Sequence, residues 1–230
     1  MDPVTIAVIG LVGMFALMLF GMPIGFAMLL AGVLGNAWLL SVPAASHLLS
    51  TNVWEQFSSY GLSVVPLFVL MGQFAYRAGI TERLYDAAYK WFGRMPGGLA
   101  CTTIAACAGF SAICGSNSAT AATMGTIALP SMRRYGYDRA LATGAVAVGG
   151  TLGVVIPPSV VMIVIAVQTE QSLLRLFLAG IIPGLLLTAL FLATVLLMCW
   201  RKPELGPPGP ATSMREKLAS LSGVVETLLL

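Results

Sequence analysis

Charge-free apolar runs and short breaks alternate along this chain, and each break has its own composition. Residues 4–42 carry no charge. At about 1.5 Å per residue this run is too long for one membrane span and right for two short ones. Gly21-Met22-Pro23-Ile24-Gly25 divides it, since proline removes a backbone donor and glycine loosens a helix. Helices are expected near 4–20 and 24–41. The GxxxG spacing of Gly21 and Gly25 fits either a close helix crossing or simply the turn itself. Residues 43–60 mix His47, Asn52, Trp54, Glu55 and Tyr60, and their aromatic rings mark an interfacial segment. A third span is expected over 61–77, followed by an amphipathic surface helix over the charged stretch from Arg77 to Arg94.

Residues 97–130 are uncharged but not uniformly apolar. Two short arms, 97–113 and 119–130, flank the polar centre Cys114-Gly115-Ser116-Asn117-Ser118-Ala119-Thr120. A polar tip at membrane depth cannot face lipid, because its backbone groups would find no partner. The economical reading is a re-entrant helical hairpin with its tip inside the protein. Two short spans with an ordinary loop are the rival. The next apolar run, 140–169, contains Gly149, Gly150 and Gly153 and then Pro157-Pro158. Paired prolines within a span free carbonyls. This predicts a discontinuous helix, one half ending near 152 and the other starting near 159. The last span is expected over 176–199. Pro203 to Pro210 reads as a linker. Ser213-Met214-Arg215-Glu216 then reads as a capping box, ahead of an amphipathic helix with Leu218, Leu221, Val225 and Leu228 on one face.

Composition sharpens the class. Of 230 residues, 58% are hydrophobic and 9% charged, against about 25% charged in a soluble domain. This excludes a soluble enzyme, a disordered chain and a nucleic-acid binder, and indicates an all-α polytopic membrane protein. Met-Asp-Pro at the start has no basic n-region, so residues 4–20 do not read as a cleaved signal peptide. With the hairpin entering and leaving on one side, the segments 77–94, 133–139 and 201–217 share that side. They hold 11 of the 12 Lys and Arg residues, Arg175 being the exception. The positive-inside rule makes that side cytoplasmic and places the N-terminus outside. Two full spans in place of the hairpin give the same parity.

No charged side chain falls in the core of an expected span, so an intramembrane proton relay is not supported. The four cysteines form no CxxC, and the single histidine, His47, stands at an interface. Cys101, Cys107 and Cys199 read as small buried hydrophobes. An intramembrane hydrolase built on Ser116 or Ser118 would lack its base. What remains is a set of neutral oxygens: Ser116, Asn117, Ser118 and Thr120 at the tip, and freed carbonyls from Gly153 to Pro158. Such oxygens suit a hard, weakly charged cation such as Na⁺. The half-helix ends of a broken helix add partial charges of both signs. Together they predict a site for Na⁺ and a carboxylate-bearing substrate.

The same segments carry a family resemblance. Gly21–Gly25, Phe110-Ser111-Ala112-Ile113-Cys114-Gly115-Ser116-Asn117-Ser118-Ala119, Ala128–Met132, Gly150-Thr151-Leu152-Gly153-Val154-Val155-Ile156-Pro157-Pro158-Ser159 and Phe177–Gly184 resemble, in order, the large membrane subunit of TRAP transporters. The resemblance implies Na⁺-coupled import of organic acids such as C4-dicarboxylates or sialic acid across the bacterial inner membrane. The implied partners are a small membrane subunit and a periplasmic substrate-binding protein, with no cofactor beyond the coupling ion and no enzymatic activity. It implies an elevator fold: scaffold-type helices in 1–96, a transport part in 97–172, and a span, linker and arm helix in 173–230. Its first sodium site falls on Cys114, Ser116, Asn117 and Ser118 with the carbonyls of Gly153, Ile156 and Pro158. Serine is common where Cys114 stands, and a thiol is a poor Na⁺ ligand, which leaves its backbone carbonyl to serve. The resemblance also implies a subunit about twice this length. The apolar end Leu228-Leu229-Leu230 reads as a truncation before a second repeat, and this chain alone is expected not to transport. A binding-protein-independent anion/Na⁺ symporter and a non-transporting scaffold fragment are the alternatives.

Overall fold

A computed structural model describes residues 2–209 together with Lys217 and Ser220, with Tyr60 described by its backbone only. The described residues are helical throughout, with no strand among them. The capping box at Ser213 and the apolar face from Leu218 to Leu228 lie outside the described residues. The chain forms two compact units, Met1–Ser63 and Val64–Leu230.

In the first unit, α1 (Pro3–Leu19) and α2 (Ile24–Leu39) form at the two expected places. Pro3 starts α1 without loss, since the first helical N–H has no partner in any case. Gly21 turns the chain at φ 86°, and Pro23 leads into α2. No atom lies within 4 Å of where a side chain on Gly21 or Gly25 would begin, so this GxxxG makes the turn and not a helix crossing. α3 (Val42–Ser58) starts at Ser41, whose side chain accepts a hydrogen bond from the Ala44 N–H. Ile6, Ala27 and Ala45 are buried, whereas Leu19, Phe20 and Phe57 are almost bare. Exposed apolar side chains such as those of Leu19 and Phe20, on a charge-free stretch, are what a lipid environment accommodates.

α4 (Tyr60–Arg77), most of it in the second unit, forms where the third span is expected, and it reaches the amphipathic α5 (Ile80–Phe92) through the left-handed Gly79. α5 lays its buried face, Ile80, Thr81, Leu84, Tyr85 and Ala87, along the next helix, where Leu84 meets Gly109. The hairpin follows: α6 (Gly98–Cys114) and α7 (Asn117–Arg134), joined by Gly115 and Ser116 alone. α6 is buried on nearly every side, as an apolar helix at the centre of a unit should be. α7 turns Met124, Ala128 and Met132, four residues apart, into the core. α8 (Arg139–Val155) and α9 (Val160–Gln168) are the halves of the discontinuous helix. α10 (Leu173–Arg201) is the last span, and at about 1.5 Å per residue it exceeds the ~30 Å hydrocarbon core. By length and hydropathy, α10 and the α8–α9 pair can each cross a membrane.

Composition marks 203–210 as a linker, yet residues 203–209 are docked. A 3-10 turn at Pro203–Leu205 leads into three successive carbonyls that accept from the start of the hairpin and the turn before α8. Leu205 O accepts from the Asp138 N–H at 3.0 Å, Gly206 O from the Gly97 N–H at 2.8 Å, and Pro207 O from the Tyr137 hydroxyl at 2.9 Å. The Gly209 N–H donates to Gly93 O at 2.8 Å, and the Tyr137 oxygen also accepts from the Leu99 N–H at 3.0 Å. Burial pushes the Tyr137 phenol up to about 12. It therefore stays protonated at neutral pH; the stability this adds is full below the ordinary tyrosine value of about 10 and declines above it, and the bond to Pro207 itself is lost as pH passes about 12. The turn covers Cys199: the first carbon of a side chain on Gly206 would lie 2.9 Å from Gly97 Cα and 3.1 Å from Cys199 Sγ. Cys101, Cys107 and Cys199 are fully buried. Gly206→Val should therefore open this clasp and expose Cys199. With each hydrogen bond worth about 1 kcal/mol, alkylation of Cys199 by N-ethylmaleimide should accelerate at least about tenfold. Peptide mass mapping reads it, and an unchanged rate would show that the turn does not guard the thiol.

Candidate functional site

The tip of the hairpin and the break in the discontinuous helix meet backbone to backbone. α6 ends in Gly115, a left-handed cap at φ 61°. Only glycine tolerates this position twice over, because a side chain there would also begin 2.6 Å from Pro158 O. Gly115 O in turn accepts from the Val160 N–H at 3.3 Å, tying the tip to the first turn of α9. On the other side, a methyl on Gly153 would lie 2.9 Å from the Ser116 carbonyl carbon and 3.0 Å from Asn117 N. One turn back, Gly150 meets Ala121 and Gly149 meets Cys107 in the same manner. The glycines of α8 therefore form a flat strip on which both arms rest.

Four helix ends converge here. Ser116 caps α7 by accepting from the Ala119 N–H, and Ser159 caps α9 by accepting from the Met162 N–H. The carbonyl ends of α6 and α8 face them. N-terminal ends favour anions and C-terminal ends favour cations. Pro157 and Pro158 have no N–H, so Gly153 O and Val154 O lack the backbone donors an unbroken helix would give them. The Pro157–Pro158 peptide is cis. α10 supports the break from behind: Gly180 faces Val155 O, and Gly184 faces Ile156.

Of the expected site residues, the structure brings Ser116, Asn117, Gly153 and Pro158 to this junction, with Ile156 beside them as the cap of α8. Ser118 is exposed and makes no hydrogen bond to the break. Cys114 is buried, and its Sγ packs on α4, 3.4 Å from where a side chain on Gly72 would begin. Three side-chain oxygens of the hairpin are buried with no hydrogen-bond partner: Ser111 Oγ, Asn117 Oδ1 and Thr120 Oγ1. Such an atom costs about 1–3 kcal/mol unless a water or an ion meets it. Sequence reasoning did not single out Ser111. Its signal was symmetry, since it stands four residues before Gly115 just as Thr120 stands four after Ser116. An arrangement of neutral hydroxyl, amide and carbonyl oxygens without a carboxylate can hold a hard monovalent cation.

The junction makes a stability prediction. Gly153→Val forces two backbones apart and should cost about 1–3 kcal/mol. Gly144, on the same helix, has no atom within 4 Å of its side-chain position, so Gly144→Ala should be neutral or gain roughly 0.5–1 kcal/mol. Thermal midpoints in detergent check both, and equal effects would show that the strip is not in tight contact.

Comparison with known proteins shows the family. The profile of the family described as "Tripartite ATP-independent periplasmic transporter, DctM component" matches residues 11–230. The C4-dicarboxylate TRAP transporter large permease protein DctM of Pseudomonas aeruginosa is 42% identical over 192 residues, covering 84% of this chain and 44% of that protein. The isethionate TRAP transporter permease protein DctMQ of Oleidesulfovibrio alaskensis is 36% identical, over 76% of this chain and 28% of that protein. The sialic acid TRAP transporter permease protein SiaT of Haemophilus influenzae is 32% identical, over 89% of this chain and 32% of that protein. The chain thus spans less than half the length of these relatives. It belongs to the DctM family, the large permease component of tripartite ATP-independent periplasmic transporters.

Proposed function

We propose that this chain supplies the front half of a Na⁺-coupled permease that imports small organic acids across a bacterial inner membrane. The family is a transporter component and not an enzyme. The observation that carries the reading is the tip–break junction, where Asn117, with its unpaired side-chain oxygen, meets a donor-poor backbone. In this reading Na⁺ binds between Ser116, Asn117 and the carbonyls of Gly153, Ile156 and Pro158. Asn117 gives an amide oxygen, and the two prolines supply carbonyls that no N–H claims. The Cys114 thiol takes no part, in keeping with its packing on Gly72. The bound cation neutralises the field of the two helix C-termini and offers a positive edge to a carboxylate.

The hairpin enters from the cytoplasmic side, the N-terminus is periplasmic, and residues 97–172 move as an elevator against scaffold helices within 1–96. Close packing of the hairpin on the glycine strip of α8 supports their moving together. A small membrane subunit and a periplasmic binding protein complete the assembly, in keeping with a family described as tripartite and periplasmic, and the remainder of the substrate pocket comes from the length this chain does not cover. C4-dicarboxylate, isethionate and sialic acid permeases all resemble it, and all three substrates are acids.

The test is thermal. Ligand at 100 times its Kd stabilises by about 2.7 kcal/mol, so NaCl should raise the midpoint of this chain by several degrees over KCl or choline chloride at equal ionic strength. Ser116→Ala with Asn117→Ala should remove that difference. A midpoint indifferent to the cation would contradict the site. Uptake by the complete permease in proteoliposomes should require its binding protein, and uptake of the free acid without it would favour an autonomous symporter.

A further inference from the structure

A groove of about 570 Å³ opens between α8 and α10. Leu141, Ala145 and Val195 line it and are buried. Gly144 keeps it open, since no atom lies within 4 Å of its side-chain position. The groove begins at Asp138 and Leu205, at the base of the unit, and ends at Val148 and Phe191. At about 1.5 Å per residue, residues 138–148 cover about 15 Å, half of the ~30 Å hydrocarbon core. Both helices continue past that depth, α8 to Val155 and α10 back to Leu173, but the groove does not. Its one hydroxyl, that of Thr194, already donates to Leu190 O at 2.7 Å, so beyond its mouth the groove is apolar.

The mouth is charged. α10 gives Phe191, Thr194 and Met198 to the groove, and the same helical spacing brings Arg201 next. Helical side chains tilt towards the N-terminus of their helix, which carries Arg201 back towards the opening. Lys202 follows Arg201, and Arg139 follows Asp138; all three are exposed and form no ion pair among the described residues. Two carboxylates are close in sequence. Asp138 accepts from the Leu141 N–H at 3.0 Å and is matched by the positive end of α8. Glu204, in the 3-10 turn, is exposed and also forms no ion pair among the described residues. An apolar slot one leaflet deep, with cations at its open end, complements one acyl chain beneath an anionic headgroup. A partner helix would use the whole span instead.

We propose that this groove holds an anionic phospholipid of the surrounding membrane. One acyl chain lies between α8 and α10, with Gly144 as the residue that leaves it room, and the phosphate sits at Arg201, Lys202 and Arg139. The lipid joins α8 to α10 beside the 203–209 clasp, whose Leu205 lines the same mouth. The inference is independent of the sodium site.

Photolabelling tests this. The complete permease is placed in phosphatidylcholine nanodiscs that contain a small share of phosphatidylglycerol with a diazirine in one acyl chain. Light should leave adducts on the peptides that carry residues 140–148 and 191–198, read by peptide mass mapping. Excess unlabelled phosphatidylglycerol should suppress them, whereas further phosphatidylcholine should not. Arg201→Gln with Lys202→Gln should raise the half-labelling lipid concentration at least about tenfold, the size of two basic residues acting on an acidic headgroup. Gly144→Leu should remove the adducts although it changes no charge, which a diffuse surface attraction would not explain. Thermal midpoints in lipid-free detergent equal to that of the unaltered protein show that both variants keep the fold. No adducts, adducts only elsewhere, adducts that phosphatidylcholine suppresses equally well, or labelling unmoved in both variants overturn the groove. If Gly144→Leu instead releases another protein subunit from a permease that takes no label, a protein fills the groove, and the lipid proposal fails.

Discussion

The second unit depends on one contact, the approach of the hairpin tip to the helix break at backbone distance. Gly115 meets Pro158 O and Gly153 meets the Ser116–Asn117 peptide, both at separations no side chain could share. Because the surfaces that meet are main chain, what they present to each other is carbonyl oxygen and amide nitrogen. The prolines remove the donors that would have consumed those oxygens. A polar junction therefore arises among apolar helices without a single charged residue.

The rest of the unit serves that contact. The glycine strip of α8 and the buried α6 fix the depth to which the hairpin reaches, and Gly180 and Gly184 of α10 brace the break from behind. At the far end, the 203–209 clasp joins the base of the hairpin to the end of α10 and the turn before α8 through backbone hydrogen bonds. Lys217 continues this association, its Nζ lying 5.9 Å from the centre of the Trp91 ring on α5. The hairpin is thus held at both ends by short contacts, and its base is not a free hinge.

Much of this was legible in the sequence, and for identifiable reasons. A polar centre between two short apolar arms, and two prolines inside an apolar run, are local signals that no alternative packing can hide. They placed the hairpin within one or two residues at its tip, although α7 continues past Pro130 to Arg134. The clasp was illegible because Pro and Gly signal the lack of a helix equally in a linker and in a docked turn. Its partners lie about 70 to 110 residues earlier in the chain. The GxxxG at Gly21 was ambiguous because spacing alone does not say whether a second helix approaches. Ser111 went unnoticed since its one local signal, a four-residue offset from the tip, is weak in an apolar helix. Its missing hydrogen-bond partner is what singles it out.

The central claim is that the tip–break junction holds a sodium ion, and equilibrium binding of radioactive Na⁺ to the purified chain tests it most directly. The account predicts saturable binding of about one ion per chain at this junction, retained in Gly144→Ala and lost in Gly153→Val. Binding that never saturates, or that Gly153→Val leaves intact, would contradict it.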